Sequence, residues 1–281
     1  MQDYIKKKTV AMELKGFAKS TKKTYLANLK HFTDYCKKDP AACGYDDVRA
    51  FLYHGINIKN LSSSYINIAY ASIKFFYQSA LCRDWNMQTV PRIKKKHFLP
   101  TILTLDEVEQ IIQNTLNLKH KAMLTTCYTA GLRVSECTHL KVSDINSSNM
   151  RIFIRQGKGF KDRYSILSDR ALALLREYWK VYKPKDWLFP GVPDTNPIST
   201  RTLQAVFASA VKSCDITKDV SVHSLRHSFA THLLNAGASI LQIKDLLGHG
   251  DIQTTTKYLH LTHAQVLGIK SPFDKRGGKY A

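Results

Sequence analysis

The sequence is short of acid. Against 42 lysines and arginines stand 22 aspartates and glutamates, a formal net charge of +20 over 281 residues. A surplus of that size calls for a polyanionic partner, and the candidates are DNA, RNA and an anionic membrane surface. Long apolar runs are also missing: nothing approaches the ~18 residues that a membrane-spanning helix needs. The start, Met1-Gln2-Asp3-Tyr4-Ile5-Lys6-Lys7-Lys8, is basic, but no apolar signal core follows it, so the expected location is the cytosol. Paired cysteines are absent too. Cys36, Cys43, Cys82, Cys127, Cys137 and Cys214 form no CxxC pair, which reads as reduced, mostly buried thiols and not a disulfide framework. There is no HExxH. His223, His227 and His232 have helical spacing, but no carboxylate lies among them and Arg226 would repel a divalent cation. The expectation is therefore no metal and no cofactor. Internal repeats and low-complexity tracts are lacking as well.

What is present is an ordinary globular composition, 44% hydrophobic and 23% charged. The clearest break runs from Val90-Pro91-Arg92-Ile93-Lys94-Lys95-Lys96 to His97-Phe98-Leu99-Pro100. Its two prolines disfavour helix and its three lysines favour solvent. Directly after it, Thr104-Leu105-Asp106-Glu107 reads as a capping box. A domain boundary is placed here, giving residues 1–96 and 97–281.

The first part reads as a helical bundle. Ser20 is expected to cap a helix bearing Tyr25, Leu29, Phe32 and Cys36 on one face. A short helix follows over Asp46–Tyr53, and a longer one over Ser62–Cys82. Lysines, Lys22 and Lys23 among them, occupy the outer faces. Most such faces are merely solvated, but the net charge favours a DNA-backbone contact surface. The second part reads as mostly helical with one hairpin: strands at Met150–Arg155 and Arg163–Leu167 around the turn Gly157-Lys158-Gly159-Phe160. Helices are expected near 104–116, 118–130, 133–140, 168–182, 199–213, 223–236, 239–247 and 251–260, with Gly237 and Gly248 as helix stops. The fold class is thus mainly α with a small β-hairpin or sheet.

Three segments could carry chemistry. Cutting a phosphodiester without metal needs cations for the non-bridging oxygens, a nucleophile for phosphorus and an acid for the leaving oxygen. Arginine suits the first task because its planar fork bonds two oxygens at once. Candidates lie in Ala130-Gly131-Leu132-Arg133-Val134-Ser135-Glu136, in the hairpin turn from Gln156 to Arg163, and in His223-Ser224-Leu225-Arg226-His227 continuing through Gly248-His249 to Lys257-Tyr258. Taken singly each has a plainer reading: Arg133 with Glu136 as a helical ion pair, Lys158 as a solvated turn lysine, the histidines as core or surface groups, Tyr258 as a core aromatic.

Taken together, in this order and at these intervals, the segments resemble the tyrosine recombinase, or phage integrase, family over roughly residues 100–262. The likeness is to its Xer-like members, which carry no arm-binding domain. The resemblance implies an N-terminal helical core-binding domain and a C-terminal catalytic domain able to close around DNA as a C-shaped clamp. It implies an active site in which Arg133 and Arg226 clamp the scissile phosphate, and His223 and His249 hydrogen-bond its oxygens and assist proton transfer. Lys158 would protonate the departing 5′-oxygen, Tyr258 would form a 3′-phosphotyrosyl link, and Glu136 would orient Arg133. Nearby Arg and His groups are expected to favour the Tyr258 phenolate. Further DNA contacts are expected from Lys94, Lys95 and Lys96, and from Arg201 and Gln204 on the 199–213 helix.

The implied partners are a double-stranded recombination site, three more copies of the chain in a homo-tetramer, and an accessory DNA-bending or regulatory protein. The implied place is the nucleoid. The tail after Tyr258, with Val266, Leu267, Ile269 and Phe273, is expected to dock on a neighbouring protomer. The rival readings are a type IB DNA topoisomerase, a non-catalytic basic DNA-binding protein and an RNA-binding protein. For the last, no RRM-type or KH-type motif is found.

Overall fold

A computed structural model describes residues 2–86, 88–94, 99–155 and 162–259. The chain divides into two compact units, Met1–Phe98 and Leu99–Ala281.

The first unit contains α1 (Gln2–Leu14), α2 (Lys19–Cys36), α3 (Tyr45–Asn57) and α4 (Ser63–Ser79). Its core is built from Leu29 and Phe32 of α2, Val48 and Leu52 of α3, and Ile66, Tyr70, Ile73, Phe76 and Tyr77 of α4. Ser62 caps α4 by accepting from the Tyr65 N–H. Two expectations change here. Helix α2 opens at Lys19 after Ala18, without a side-chain cap, and Ser20 lies inside its first turn. The entry is set by Phe17, whose ring packs on Tyr25 and Phe75. Helix α1 was not foreseen, because its lysine-rich sequence has no clear apolar stripe. It is held by Met12 and by Lys8, both fully buried. The Lys8 ammonium donates to the Tyr25 carbonyl (3.0 Å), the Ser72 carbonyl (3.2 Å) and the Ser72 hydroxyl (3.0 Å). Burial pulls its pKa down to about 7.

The second unit opens with α5 (Leu105–Gln113), where Thr104 and Glu107 form the expected capping box. Helix α6 (Leu118–Thr129) is buried on most sides and leads into α7 (Val134–Thr138). A three-stranded antiparallel sheet follows, in the order β1 (Ile145–Asn146), β2 (Arg151–Ile154), β3 (Arg163–Ile166). β1 was not expected from the sequence, being two residues long. The β2–β3 register pairs Arg151 with Ile166 and Ile154 with Arg163. Residues 156–161, expected from the sequence to form the turn that carries Lys158, lie outside the described residues. Then come α8 (Asp169–Tyr182), α9 (Thr200–Lys212), α10 (Val222–Asn235) and α11 (Ile240–Leu247). The helix expected over 251–260 is shorter than that: α12 spans Gln253–Thr256, and Tyr258 follows it in a turn. No helix among the described residues is long and apolar enough to cross a membrane.

Two glycines are required by position. Gly131, at φ +59°, joins α6 to α7, and a Cβ there would stand 2.3 Å from the Phe229 ring. Gly248, at φ +62°, ends α11, and a Cβ would meet the Arg163 side chain at 2.7 Å. Both sites combine left-handed backbone with close approach, so only glycine fits.

Candidate active site

The site is organised around one buried carboxylate. Arg133 stands at the N-cap of α7, where its backbone N–H donates to Glu136 Oε2 at 2.8 Å and its Nη1 donates to Oε1. From β3, Arg163 approaches the same carboxylate fork to fork, Nη1 to Oε1 at 2.8 Å and Nη2 to Oε2 at 2.7 Å. Its Nε donates to the Leu246 carbonyl at 2.9 Å, tying β3 to α11. From α10, Arg226 brings Nη1 within 3.6 Å of Glu136 Oε2. It also donates to the Gly131 carbonyl at 2.6 Å and to the Leu247 carbonyl. Three guanidiniums thus share one carboxylate, a local surplus of two positive charges. Burial would raise the Glu136 pKa, but Arg163, the Arg133 N–H and the Arg133 charge outweigh it and hold the value at about 2.

The histidines and Tyr258 line the same cluster. His223, Arg226 and His227 fall at i, i+3 and i+4 of α10, one helix face. His223 is exposed; partial desolvation and then the Arg226 and Arg133 charges lower its pKa. The Gly248 cap turns the chain so that His249 Nδ1 meets Thr255 Oγ1 at 2.8 Å. Desolvation, followed by Arg226 and Arg133, pulls His249 down to about 3. Tyr258 is fully buried in a cluster with Phe229, Ala230, Leu234, Ile243 and Leu247. Its hydroxyl lies 2.9 Å from His227 Nδ1, and the Lys257 ammonium stands 5.1 Å from its ring centroid.

The neighbouring arginine charges do favour the phenolate, as expected, but in this state burial opposes them. Burial dominates, and Arg226 and Arg133 offset it only in part, so the Tyr258 pKa is pushed up to about 12. Guanidinium N–H groups donate to the oxygens of a phosphate dianion or diester, and such a ligand would add the negative charge that the cluster lacks.

Of the residues singled out from the sequence, Arg133, Glu136, His223, Arg226, His249 and Tyr258 come together, while Lys158 lies outside the described residues. Lys95 and Lys96 also lie outside them. Lys23, Lys94, Arg201 and Gln204 are exposed, and Lys22 is ion-paired with Glu13 at 3.1 Å. His232 bonds the Tyr128 hydroxyl at 2.9 Å and plays a structural part. Sequence reasoning gave no role to Arg163 or His227. The i+4 spacing of His227 from His223 was the available signal. Arg163 stood at the end of the candidate hairpin segment, but nothing local named its carboxylate partner, 27 residues away.

Comparison with known proteins gives the family and the fold. The profile of the phage integrase family matches residues 101–265, and that of the phage integrase N-terminal SAM-like domain matches residues 5–87. The chain is 42% identical over 264 residues to y4qK, an integrase/recombinase candidate of Sinorhizobium fredii, covering 94% of this chain and 86% of that one. It is 33% identical over 266 residues to the tyrosine recombinase XerC of Halalkalibacterium halodurans, covering 85% and 86%. Among solved structures, XerA recombinase is similar at 26% identity, with 99% of each chain covered and a TM-score of 0.55. A lambda integrase fragment solved on a core site shares the fold at 17% identity, with 90% and 96% covered and a TM-score of 0.74. These relatives are recombinases, which disfavours the topoisomerase and the non-catalytic readings. The chain belongs to the phage integrase family and is a tyrosine site-specific recombinase, an enzyme that cuts and rejoins DNA.

Proposed function

We propose that the chain recombines a double-stranded DNA site through a 3′-phosphotyrosyl intermediate, with Tyr258 as nucleophile. Arg133 and Arg226 hold the scissile phosphate, and Glu136 fixes both guanidiniums. His223 and His249 hydrogen-bond the phosphate oxygens, and Lys158 protonates the leaving 5′-oxygen. The observation that carries this reading is the convergence of Arg133, Arg163 and Arg226 on Glu136, beside the Tyr258 hydroxyl. Charge developing on a phosphorane in that place meets fixed donors. The new tyrosyl ester keeps the energy of the bond it replaced, so a second DNA end can reverse the step without ATP.

In this reading residues 1–96 form the core-binding domain and residues 97–281 the catalytic domain, whose C-terminal tail docks on a neighbour. Lys23, Lys94, Arg201 and Gln204 add DNA contacts, and affinity falls with salt by a log–log slope of about −0.9 per neutralised phosphate. The working form is a homo-tetramer on paired sites, with an accessory DNA-bending or regulatory protein. It acts at the nucleoid, in integration and excision of a mobile element or in resolution of DNA dimers.

The test is covalent trapping on nicked suicide duplexes drawn from the DNA flanking the gene, in EDTA, on a denaturing gel. An adduct with the wild type and none with Tyr258→Phe supports the reading. A bound duplex without adduct overturns it.

A further inference from the structure

We propose that Arg163 is a positioning residue for strand cleavage: bound at once to Glu136 and to the end of α11, it sets Arg133 and His249 at the spacing that one phosphate requires. The proposal rests on the reading above, in which Arg133 and His249 both hold the scissile phosphate.

The Arg163 guanidinium is spent on the protein. Nη1 and Nη2 donate to the two Glu136 oxygens, and Nε donates to the Leu246 carbonyl. All three of its nitrogens are engaged, whereas among the described residues Arg226 engages Nη1 and Nη2 and Arg133 engages only Nη1. A guanidinium grips a phosphate bidentately along its Nη1–Nη2 edge or along an edge that includes Nε, and both edges of Arg163 contain groups already bonded. Only 9% of the side chain is exposed. Arg163 thus acts through its neighbours and not on the phosphate itself.

Those neighbours carry the two phosphate ligands. Glu136 takes the Arg133 backbone N–H and guanidinium, so one end of the tie is the anchor of Arg133. At the other end, Leu246 leads to Gly248, whose left-handed turn presents His249. The Arg163 stem closes over that turn: its Cδ lies 2.7 Å from where a Gly248 Cβ would stand, so the glycine is what admits it. The strand fixes the arginine in its turn. Arg163 pairs with Ile154 of β2, and two residues on, the buried Ser165 hydroxyl donates to the Ala130 carbonyl at 2.7 Å. β3 is therefore pinned to the α6–α7 junction, and Arg163 is the side chain that crosses from there to the turn before His249.

A second strut runs beside it. Arg226 joins the Gly131 carbonyl at the same junction to the Leu247 carbonyl at the end of α11. Two struts fix an orientation, whereas one leaves a pivot. Removing Arg163 leaves Arg226 alone to hold α11 against α7, while Arg226 must also meet the phosphate. A misplacement of about 1 Å between reacting groups costs about 100-fold in rate. Lysine at 163 keeps the charge but offers one nitrogen in place of three, so it cannot rebuild the fork and the Leu246 bond together.

The experiment measures duplex affinity, single-turnover adduct formation and thermal unfolding of the full chain on a nicked duplex that the wild type binds. It uses Arg163→Lys and Arg163→Gln, each alone and combined with Arg133→Ala or His249→Asn. Tyr178→Phe, which loses a buried hydrogen bond to the Leu188 carbonyl away from the site, is the stability control. Arg163→Lys should bind the duplex within a few-fold of wild type and form the adduct about 10–100-fold more slowly. Residues that act as a unit are not additive, so each double variant should lose less than the product of its single losses. Tyr178→Phe should lower Tm and leave the adduct rate unchanged. Wild-type rates in both Arg163 variants would overturn the proposal, as would losses that multiply in full in both sets of double variants. An adduct rate that falls with Tm alike in Tyr178→Phe, or failure of both Arg163 variants to fold, would assign Arg163 to stability alone. Weakened binding with an unchanged rate per bound complex would make it a DNA contact instead. If Arg133→Ala and His249→Asn both cleave at the wild-type rate, the phosphate-holding reading beneath the proposal is what fails.

Discussion

Arg163 and Glu136 meet fork to fork, with two N–H···O bonds of 2.8 and 2.7 Å joining β3 to the first turn of α7. The pair is deeply buried, with 9% and 5% of the side chains exposed. Desolvating two charges is costly, and the geometry compensates because both carboxylate oxygens are bonded and the Arg133 N–H adds a further donor. The pair therefore fixes the carboxylate on which the other two arginines depend.

The first prediction concerns acid. Glu136 sits at about 2 in the fold against an ordinary 4.5, so its contribution is complete above pH 4.5 and is lost as pH falls towards 2. A shift of that size corresponds to roughly 3 kcal/mol. Glu136→Gln should lose about that much stability at pH 7, and its deficit should shrink between pH 4.5 and 2. Denaturant unfolding of both proteins across that range measures it. A deficit that stays constant with pH would show that shape, not charge, is what Glu136 supplies.

The second prediction separates two arginines with the same proposed role. Arg133 keeps 19% of its side chain exposed, whereas Arg226 keeps 4% and bonds the Gly131 and Leu247 carbonyls. Arg133→Ala should lower adduct formation by about 10²–10³-fold with duplex affinity within a few-fold of wild type. Arg226→Lys retains the charge but not the fork, so it should lose both cleavage and about 2 kcal/mol of stability. Gel shift, single-turnover cleavage and thermal unfolding together decide. Equal stability in the two variants would count against the structural part assigned to Arg226.

The third prediction lies in the first unit. Lys8 is buried with a pKa near 7 in place of 10.5. The unfolded chain therefore binds more protons than the folded one between those values, and stability should rise with pH across that window. Lys8→Met should be more stable than wild type at pH 7 and below, with the gap closing towards pH 10.5. Full-length unfolding at pH 6, 8 and 10 tests the sign. A less stable variant at pH 7 would show that the hydrogen bonds to Tyr25 and Ser72 outweigh desolvation.

What the sequence made legible follows from how local each signal is. Thr104 with Glu107, Ser62 and Gly248 announce helix ends because capping is a matter of three or four neighbouring residues. The cluster of Arg133, Glu136, His223, Arg226, His249 and Tyr258 was legible as motif text, and the i, i+3, i+4 face of α10 explains part of it physically. The Arg163–Glu136 pair and the Lys8 anchor were not, since each depends on a contact between elements distant in sequence. The burial of Tyr258 was not legible for the same reason: it comes from Phe229, Leu234, Ile243 and Leu247, which no local pattern brings to it.

The last prediction concerns the leaving group. Lys158 lies between β2 and β3, whose ends are anchored by Arg155 on Asp144 and by Arg163 on Glu136. An alkoxide is a poor leaving group and gains from protonation, whereas a thiolate leaves without it. Lys158→Ala should therefore slow cleavage of an ordinary duplex about 100-fold or more. On a duplex with sulfur in place of the bridging 5′-oxygen, the variant should cleave at close to the wild-type rate. Arg133→Ala should gain no such rescue, because its loss removes charge stabilisation and not a proton. If sulfur rescues both variants equally, or neither, Lys158 is not the acid.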